Sequence, residues 1–155
     1  MTWWRTNLPV FTLAALLTLI GWLAPSSSAA VRRGDNGANT LRGSERADDL
    51  AGLAGRDLIA GLSGSDLLAA GRGADRLRGG PGNDTLNGDR GDDDLRGGYG
   101  ANRVNGGGGS DLIHAHQGTP DRIRCGGGFD VVIYDERLDT LAEDCEDGYI
   151  RWPRK

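Results

Sequence analysis

A chain of 155 residues has the length for about one domain, yet 27 glycines set against four tryptophans and two phenylalanines leave little from which to build a conventional core. Glycine in that number serves either disorder or a backbone that returns repeatedly to positive φ, and it does not fall at every third position, which excludes collagen. A net charge of −4 with arginines mixed among the acids offers no nucleic-acid patch.

The first thirty residues differ in kind from the rest. Trp3-Trp4-Arg5 precedes an apolar run from Leu8 to Ala24, interrupted by Pro9 and followed by Pro25 and the small residues 26–30. A lone basic residue, an apolar segment and a small-residue exit describe a secretory signal peptide, with cleavage expected after Ala30 because Ser28 and Ala30 supply the small side chains. The rival reading is an uncleaved anchor, since the segment nearly reaches the length of a bilayer span. The signal-peptide reading predicts a secreted, extracellular chain with no stable membrane insertion after cleavage. No arginine pair precedes the apolar run, which argues against twin-arginine export.

From Arg33 a nine-residue register runs without gaps through Ile113. Its fifth position holds Gly37, Arg46, Gly55, Gly64, Gly73, Gly82, Gly91, Gly100 and Gly109. Its seventh holds Asn39, Asp48, Asp57, Asp66, Asp75, Asp84, Asp93, Asn102 and Asp111, and its ninth is always Leu, Ile or Val. A tenth unit, 114–123, carries one extra residue at Thr119-Pro120 but still ends Asp121-Arg122-Ile123, and residues 124–132 restore the step. Beyond Ile133 the glycines thin out, and Tyr134, Leu138, Leu141, Tyr149 and Trp152 offer the larger apolar groups expected of a cap on a solenoid. The domain reading is therefore a signal peptide (1–30), a repeat region (31–132) and a C-terminal cap (133–155).

Nine residues are too few for a helical hairpin and suit a turn of about six residues with a strand of about three. Two units then make one coil, and the strands stack into two short parallel sheets with a thin aliphatic core between them. The Gly-Gly-x-Gly-x-Asp-x-apolar-x pattern is one known from calcium-binding parallel β-helices. On these residues, 33 to about 132, the chain resembles the haemolysin-type (RTX) calcium-binding repeat family, which implies an all-β parallel β-roll and several bound calcium ions. The tail around Cys125-Gly-Gly-Gly-Phe129-Asp130 and Asp144-Cys145-Glu146 resembles that of small secreted members.

Turns eighteen residues apart are expected to lie one above another, placing Asp57, Asp75, Asp93 and Asp111 along one edge and Asp48, Asp66 and Asp84 along the other. Stacked strands lie about 4.8 Å apart, and carboxylates at that spacing repel unless a cation lies between them. Ca²⁺, with six to eight oxygen ligands at about 2.3–2.6 Å, suits such a site better than Mg²⁺, and no His or Cys in these turns calls for a transition metal. The candidate ligands are Asp57, Asp66, Asp75, Gly80, Gly82, Asp84, Asp89, Gly91, Asp93, Gly107, Gly109 and Asp111, in the pairs 66/84, 75/93, 93/111 and 57/75. Turns 79–84 and 106–111 match the pattern fully. In contrast, 43–48, with Ser44 and Arg46, predicts a weak or absent site, and Asn39 and Asn102 keep an oxygen without the charge. The competing structural role is that these aspartates only cap turns.

Cys125 and Cys145 are the only cysteines; an exported chain meets an oxidising compartment, so a disulfide is expected ahead of two free thiols or an intermolecular bridge. His114 and His116 lack a third ligand at telling spacing, and the chain carries no Gly-x-Ser-x-Gly, no His-Glu-x-x-His and no phosphate loop, so no enzyme is expected. The arginines occupy several repeat positions and read as largely solvated. Two functions remain: a calcium-binding module ordered by its ions, or a structural or adhesive module whose partner lies on a cell surface or wall and which calcium only stiffens.

Overall fold

The computed structural model describes residues 29–145 and the short strand 149–151; the expected signal segment up to residue 28 and Trp152 lie outside the described residues. Every regular element described is a strand. One parallel sheet holds, in order, β1 (Val31–Arg33), β3 (Asp49–Ala54), β5 (Leu67–Arg72), β7 (Thr85–Arg90), β9 (Arg103–Gly108), β11 (Arg122–Gly127) and β13 (Thr140–Leu141). The other holds β2 (Thr40–Arg42), β4 (Leu58–Ala60), β6 (Arg76–Arg78), β8 (Asp94–Arg96), β10 (Leu112–Ala115), β12 (Val131–Tyr134) and β14 (Tyr149–Arg151). The chain alternates between the sheets at every step, which is the path of a parallel β-roll.

Register follows the repeat. Leu50 pairs with Leu68, Leu68 with Leu86 and Leu86 with Val104, while Ile59, Leu77, Leu95 and Ile113 align in the opposite sheet. These side chains are fully or almost fully buried and face one another across the roll. Each contributes on the order of 1.5–3 kcal/mol by leaving water, and a change of register by one residue would turn the whole row outward. The insertion is absorbed in the turn 116–120: Leu112 pairs with Val131 and Arg103 with Arg122, one residue beyond the usual step, and the apolar rows remain in line.

The two sheets are unequal. The middle strands of the first sheet run six residues, whereas those of the second run three or four. The longer ladder continues through the row Leu53, Gly71, Asp89, Gly107 and Gly126, each at positive φ and aligned coil to coil. The corresponding row of the second sheet begins at Ser44, which lacks positive φ, and ends at the insertion. The C-terminal segment joins the stack as β13 and β14, and a disulfide ties Cys125 of β11 to Cys145. At the β1 end, among the described residues, Arg32 occupies the inward register position opposite Leu50 and is exposed.

Candidate metal centre

Each turn delivers its aspartate into the roll rather than into solvent. Asp57, Asp66, Asp75, Asp84, Asp93, Asp111 and Asp121 are 1–3% exposed. One oxygen of each carboxylate has a fixed partner. The Oδ1 atoms of Asp66, Asp75, Asp84, Asp93 and Asp111 accept the backbone N–H of residues 48, 57, 66, 75 and 93, at 2.9, 2.6, 2.8, 2.8 and 2.9 Å. Two ladders result, one along 39–57–75–93–111–130 and the other along 48–66–84–102–121–139. The structure thus brings together all four expected pairs, joined through backbone donors.

The second oxygen is different. Oδ2 of Asp57, Asp66, Asp75, Asp84, Asp93, Asp111 and Asp121 is buried with no hydrogen-bond partner among the described residues. Buried polar atoms are nearly always partnered, and leaving one unmet costs about 1–3 kcal/mol, more for a charged group. Seven such oxygens, four on one ladder and three on the other, therefore form an acceptor set in need of donors.

The asparagine turn identifies what those oxygens lack. Oδ1 of Asn102 accepts the N–H of Asp84 at 2.9 Å, as an aspartate would. Its Nδ2, in place of the orphan oxygen, donates to the carbonyls of Gly98 and Gly100 at 3.1 and 3.0 Å. The carbonyls four and two residues upstream therefore converge on the second side-chain atom. In the aspartate turns those positions are Gly80 and Gly82 for Asp84, Asp89 and Gly91 for Asp93, and Gly107 and Gly109 for Asp111. An all-oxygen surrounding with one formal charge per turn fits a hard cation held by carboxylate and carbonyl oxygens. These are also the positions that the sequence nominated.

Backbone conformation decides which turns leave Oδ2 unmet. In turn 43–48 the N–H of Ser44 reaches Asp48 Oδ2, and Ser44 Oγ reaches both carboxylate oxygens at 3.0 and 3.1 Å. Burial acts to raise the Asp48 pKa, but the donors at Ala30 and Ser44 outweigh it and hold the carboxyl below its ordinary range. In the orphan turns of the register the residue at the Ser44 position has positive φ (Leu53, Leu62, Gly71, Gly80, Asp89 and Gly107). Its N–H is directed to the next coil, as Leu62 to the carbonyl of Gly79 and Gly80 to that of Gly97.

The consequence is electrostatic. Burial pushes Asp84 and Asp111 up to about 6 and Asp93 up to about 7. The carboxylates of Asp111, Asp75 and Asp89 add repulsion at Asp93. Asp66 and Asp75 are also raised by burial. Space is tight beside the orphans of the glycine-headed turns: a Cβ on Gly79 would lie 2.3 Å from Asp84 Oδ2 and 2.5 Å from the carbonyl of Gly97. Glycine at the head of the Asp84 turn is thus favoured by close approach, although the Asp75 turn accommodates Ala70, fully buried, at the same place.

Among the described residues no three His, Cys, Asp or Glu side chains gather as a metal cluster. An ion here would draw mostly on main-chain carbonyls, with carboxylate charge supplied turn by turn. Asp121 was missed by sequence reasoning: it has an orphan Oδ2 and burial pushes it to about 7. Its turn has Gly118 but no glycine at the pattern positions, and it contains the insertion, so only the closing Asp121-Arg122-Ile123 signalled it. Gln117 Oε1 in the same turn is likewise buried without a hydrogen-bond partner among the described residues. His114 approaches Asp94 at 4.0 Å on the outer face of the second sheet, away from the aspartate ladders.

The sequence model of the RTX calcium-binding nonapeptide repeat matches the chain four times, at residues 33–68, 60–95, 87–120 and 96–132. No curated protein and no solved structure matches significantly. The matched segments run unbroken over the coils that carry the aspartate ladders, and the chain belongs to the RTX calcium-binding nonapeptide repeat family.

Proposed function

We propose that this is an exported, non-catalytic protein that takes up several calcium ions in the turns of the roll and is ordered by them. The observation that supports this most directly is the set of seven buried Oδ2 atoms on the two ladders, unpartnered among the described residues, set against Asn102, where an amide donor occupies the same place. When bound, Ca²⁺ supplies positive charge shared among a carboxylate and neighbouring carbonyls, as the amide does in the asparagine turn. The chain's part is to hold Oδ1 on the backbone ladder, aim Oδ2 inward, and keep the flanking positions small enough for the oxygens to converge.

Coupling to folding follows from the same geometry. Without the ion, seven buried oxygens lack donors, glycine loses much conformational entropy on ordering, and the core is one aliphatic side chain deep. Binding only to the folded state shifts the equilibrium toward it. Calorimetry with Ca²⁺ and Mg²⁺, read beside a circular dichroism titration, tests this. Expected are saturable, calcium-selective heats and a β-sheet signal that grows with calcium. An equal β signal in chelator with no calcium heats would overturn the reading.

A further inference from the structure

The outer face of the first sheet carries a polar lattice that the ladders do not use. Thr85, Arg103, Arg122 and Thr140 are successive neighbours in one row, and Asn87, Asn105 and Arg124 in the next. They alternate with the buried Leu86, Val104 and Ile123, so they face solvent. Together they line a cleft of about 450 Å³ on the sheet. A second cleft of about 440 Å³ shares Thr85, Arg103, Arg122 and Thr140 and extends the first toward the turn edge.

Basic charge is concentrated on this face. Arg103 and Arg122 are direct register partners on adjacent strands, which places them about 4.8 Å apart at the backbone. No ion pair engages Arg103, Arg122 or Arg124 among the described residues. On the opposite sheet, by contrast, Asp94 holds Arg76 at 3.2 Å and Arg96 at 3.0 Å. Neighbouring arginines without an ion pair among the described residues suit an anion, and guanidinium is the side chain suited to bidentate capture of carboxylate.

We propose that this face binds a linear acidic polysaccharide, Arg103, Arg122 and Arg124 receiving its carboxylates while the Asn and Thr side chains bond its hydroxyls. The regular strand spacing suits an extended polymer with evenly repeated charge. The exposed aromatics Tyr99 and Phe129 lie in the turns and not on this face, so it offers no platform for stacking nucleobases. Its calcium dependence rests on the function proposed above. Each ion brings two positive charges, so a third ion takes a chain of net charge −4 past neutrality, and the acidic edges cease to repel a polyanion.

The test uses the purified protein in millimolar calcium with hyaluronan as the carboxylated probe, dextran as the neutral one and single-stranded DNA as the rival polyanion. Expected is hyaluronan binding that weakens as salt rises, with none to dextran and much weaker binding to DNA. The triple variant R103Q/R122Q/R124Q should lose hyaluronan affinity by ~10-fold or more and show a flatter salt dependence. Its calcium isotherm should match that of the unaltered protein. Absence of hyaluronan binding, binding unchanged in the triple variant, or DNA held equally well would overturn the proposal. A normal calcium isotherm beside any of these leaves the calcium reading standing, whereas absent calcium heats would remove that reading instead.

Discussion

Replacing Asp93 by Asn tests the divided carboxylate at its most strained point. Asp93 Oδ1 accepts the Asp75 N–H at 2.8 Å, its Oδ2 has no hydrogen-bond partner among the described residues, and burial lifts it to about 7. Asn102 shows what the substitution builds: Oδ1 stays on the ladder and Nδ2 donates to two turn carbonyls. In chelator the variant removes an unmet buried oxygen, a gain of about 1–3 kcal/mol, and adds two hydrogen bonds of about 1 kcal/mol each. Since these overlap, a net stabilisation of about 2–3 kcal/mol is expected, equivalent to roughly 10 °C in melting midpoint for a chain of this size. In calcium this advantage is offset. A site held at a hundredfold excess over its dissociation constant contributes about 2.7 kcal/mol, and the variant forgoes at least one.

Circular dichroism melts with and without calcium read both halves. Asp93→Asn should melt above the unaltered protein in chelator, with a larger β signal, and its calcium-induced rise should be smaller by roughly 10 °C. If the variant melts lower in chelator, Oδ2 already has a donor in the ion-free protein and the reasoning fails. An undiminished calcium-induced rise would show that Asp93 does not serve the ion.

Three further outcomes are expected. With calcium stripped away, the raised values at Asp84, Asp93, Asp111 and Asp121 mean that the folded state binds more protons than the unfolded chain. Their stabilising contribution is full below the ordinary value of 3.8 and is lost as pH rises through about 6 to 7. Ion-free protein should therefore show more β structure at acidic pH than at neutral pH; the opposite trend in dichroism would refute the burial argument. Leu53→Gly should stabilise, because Leu53 sits at φ 81° and is 47% exposed. Relief of about 1–2 kcal/mol outweighs the backbone entropy of about 0.5–1 kcal/mol, so the urea midpoint should rise, and a fall would show that Leu53 packing dominates. Cys145→Ser opens a loop closed across a separation of 20 residues, at a cost of about 3 kcal/mol. Reduction of the unaltered protein should lower its midpoint equally, and no change on reduction would place the cap's stability elsewhere.

The coil was legible because three residue positions repeat at one spacing, so the inward Leu/Ile/Val row and the stacking of Asp57 on Asp75 followed from counting. The division of each carboxylate was not, since it depends on where the N–H four residues upstream points. Ser44 and Leu62 occupy the same repeat position and look equally unlike glycine, yet only Leu62 adopts positive φ and leaves its aspartate unmet. The unequal sheets were hidden for a similar reason: every unit carries one pattern, and only stacking reveals that the row through Leu53 and Asp89 continues the ladder. Arg103 and Arg122 share one repeat position, directly before Val104 and Ile123, but only the placing of the extra residue in the turn 116–120 shows that they are neighbours across the sheet.

Register and ion dependence therefore reside in different atoms of one side chain. Oδ1 makes the same ladder bond in Asp93 and in Asn102, so exchanging Asp for Asn leaves the stacking instructions intact. Only the second atom changes, from an acceptor that needs a cation to a donor that supplies its own positive end. An Asp-to-Asn series taken cumulatively through 84, 93 and 111 should thus lower the calcium requirement stepwise while the β-roll signal in chelator grows, with the orphans at Asp57, Asp66, Asp75 and Asp121 left to answer to calcium. Were the ladder itself dependent on the ion, the same series would instead lose structure at each step, and the two courses separate after the first two substitutions.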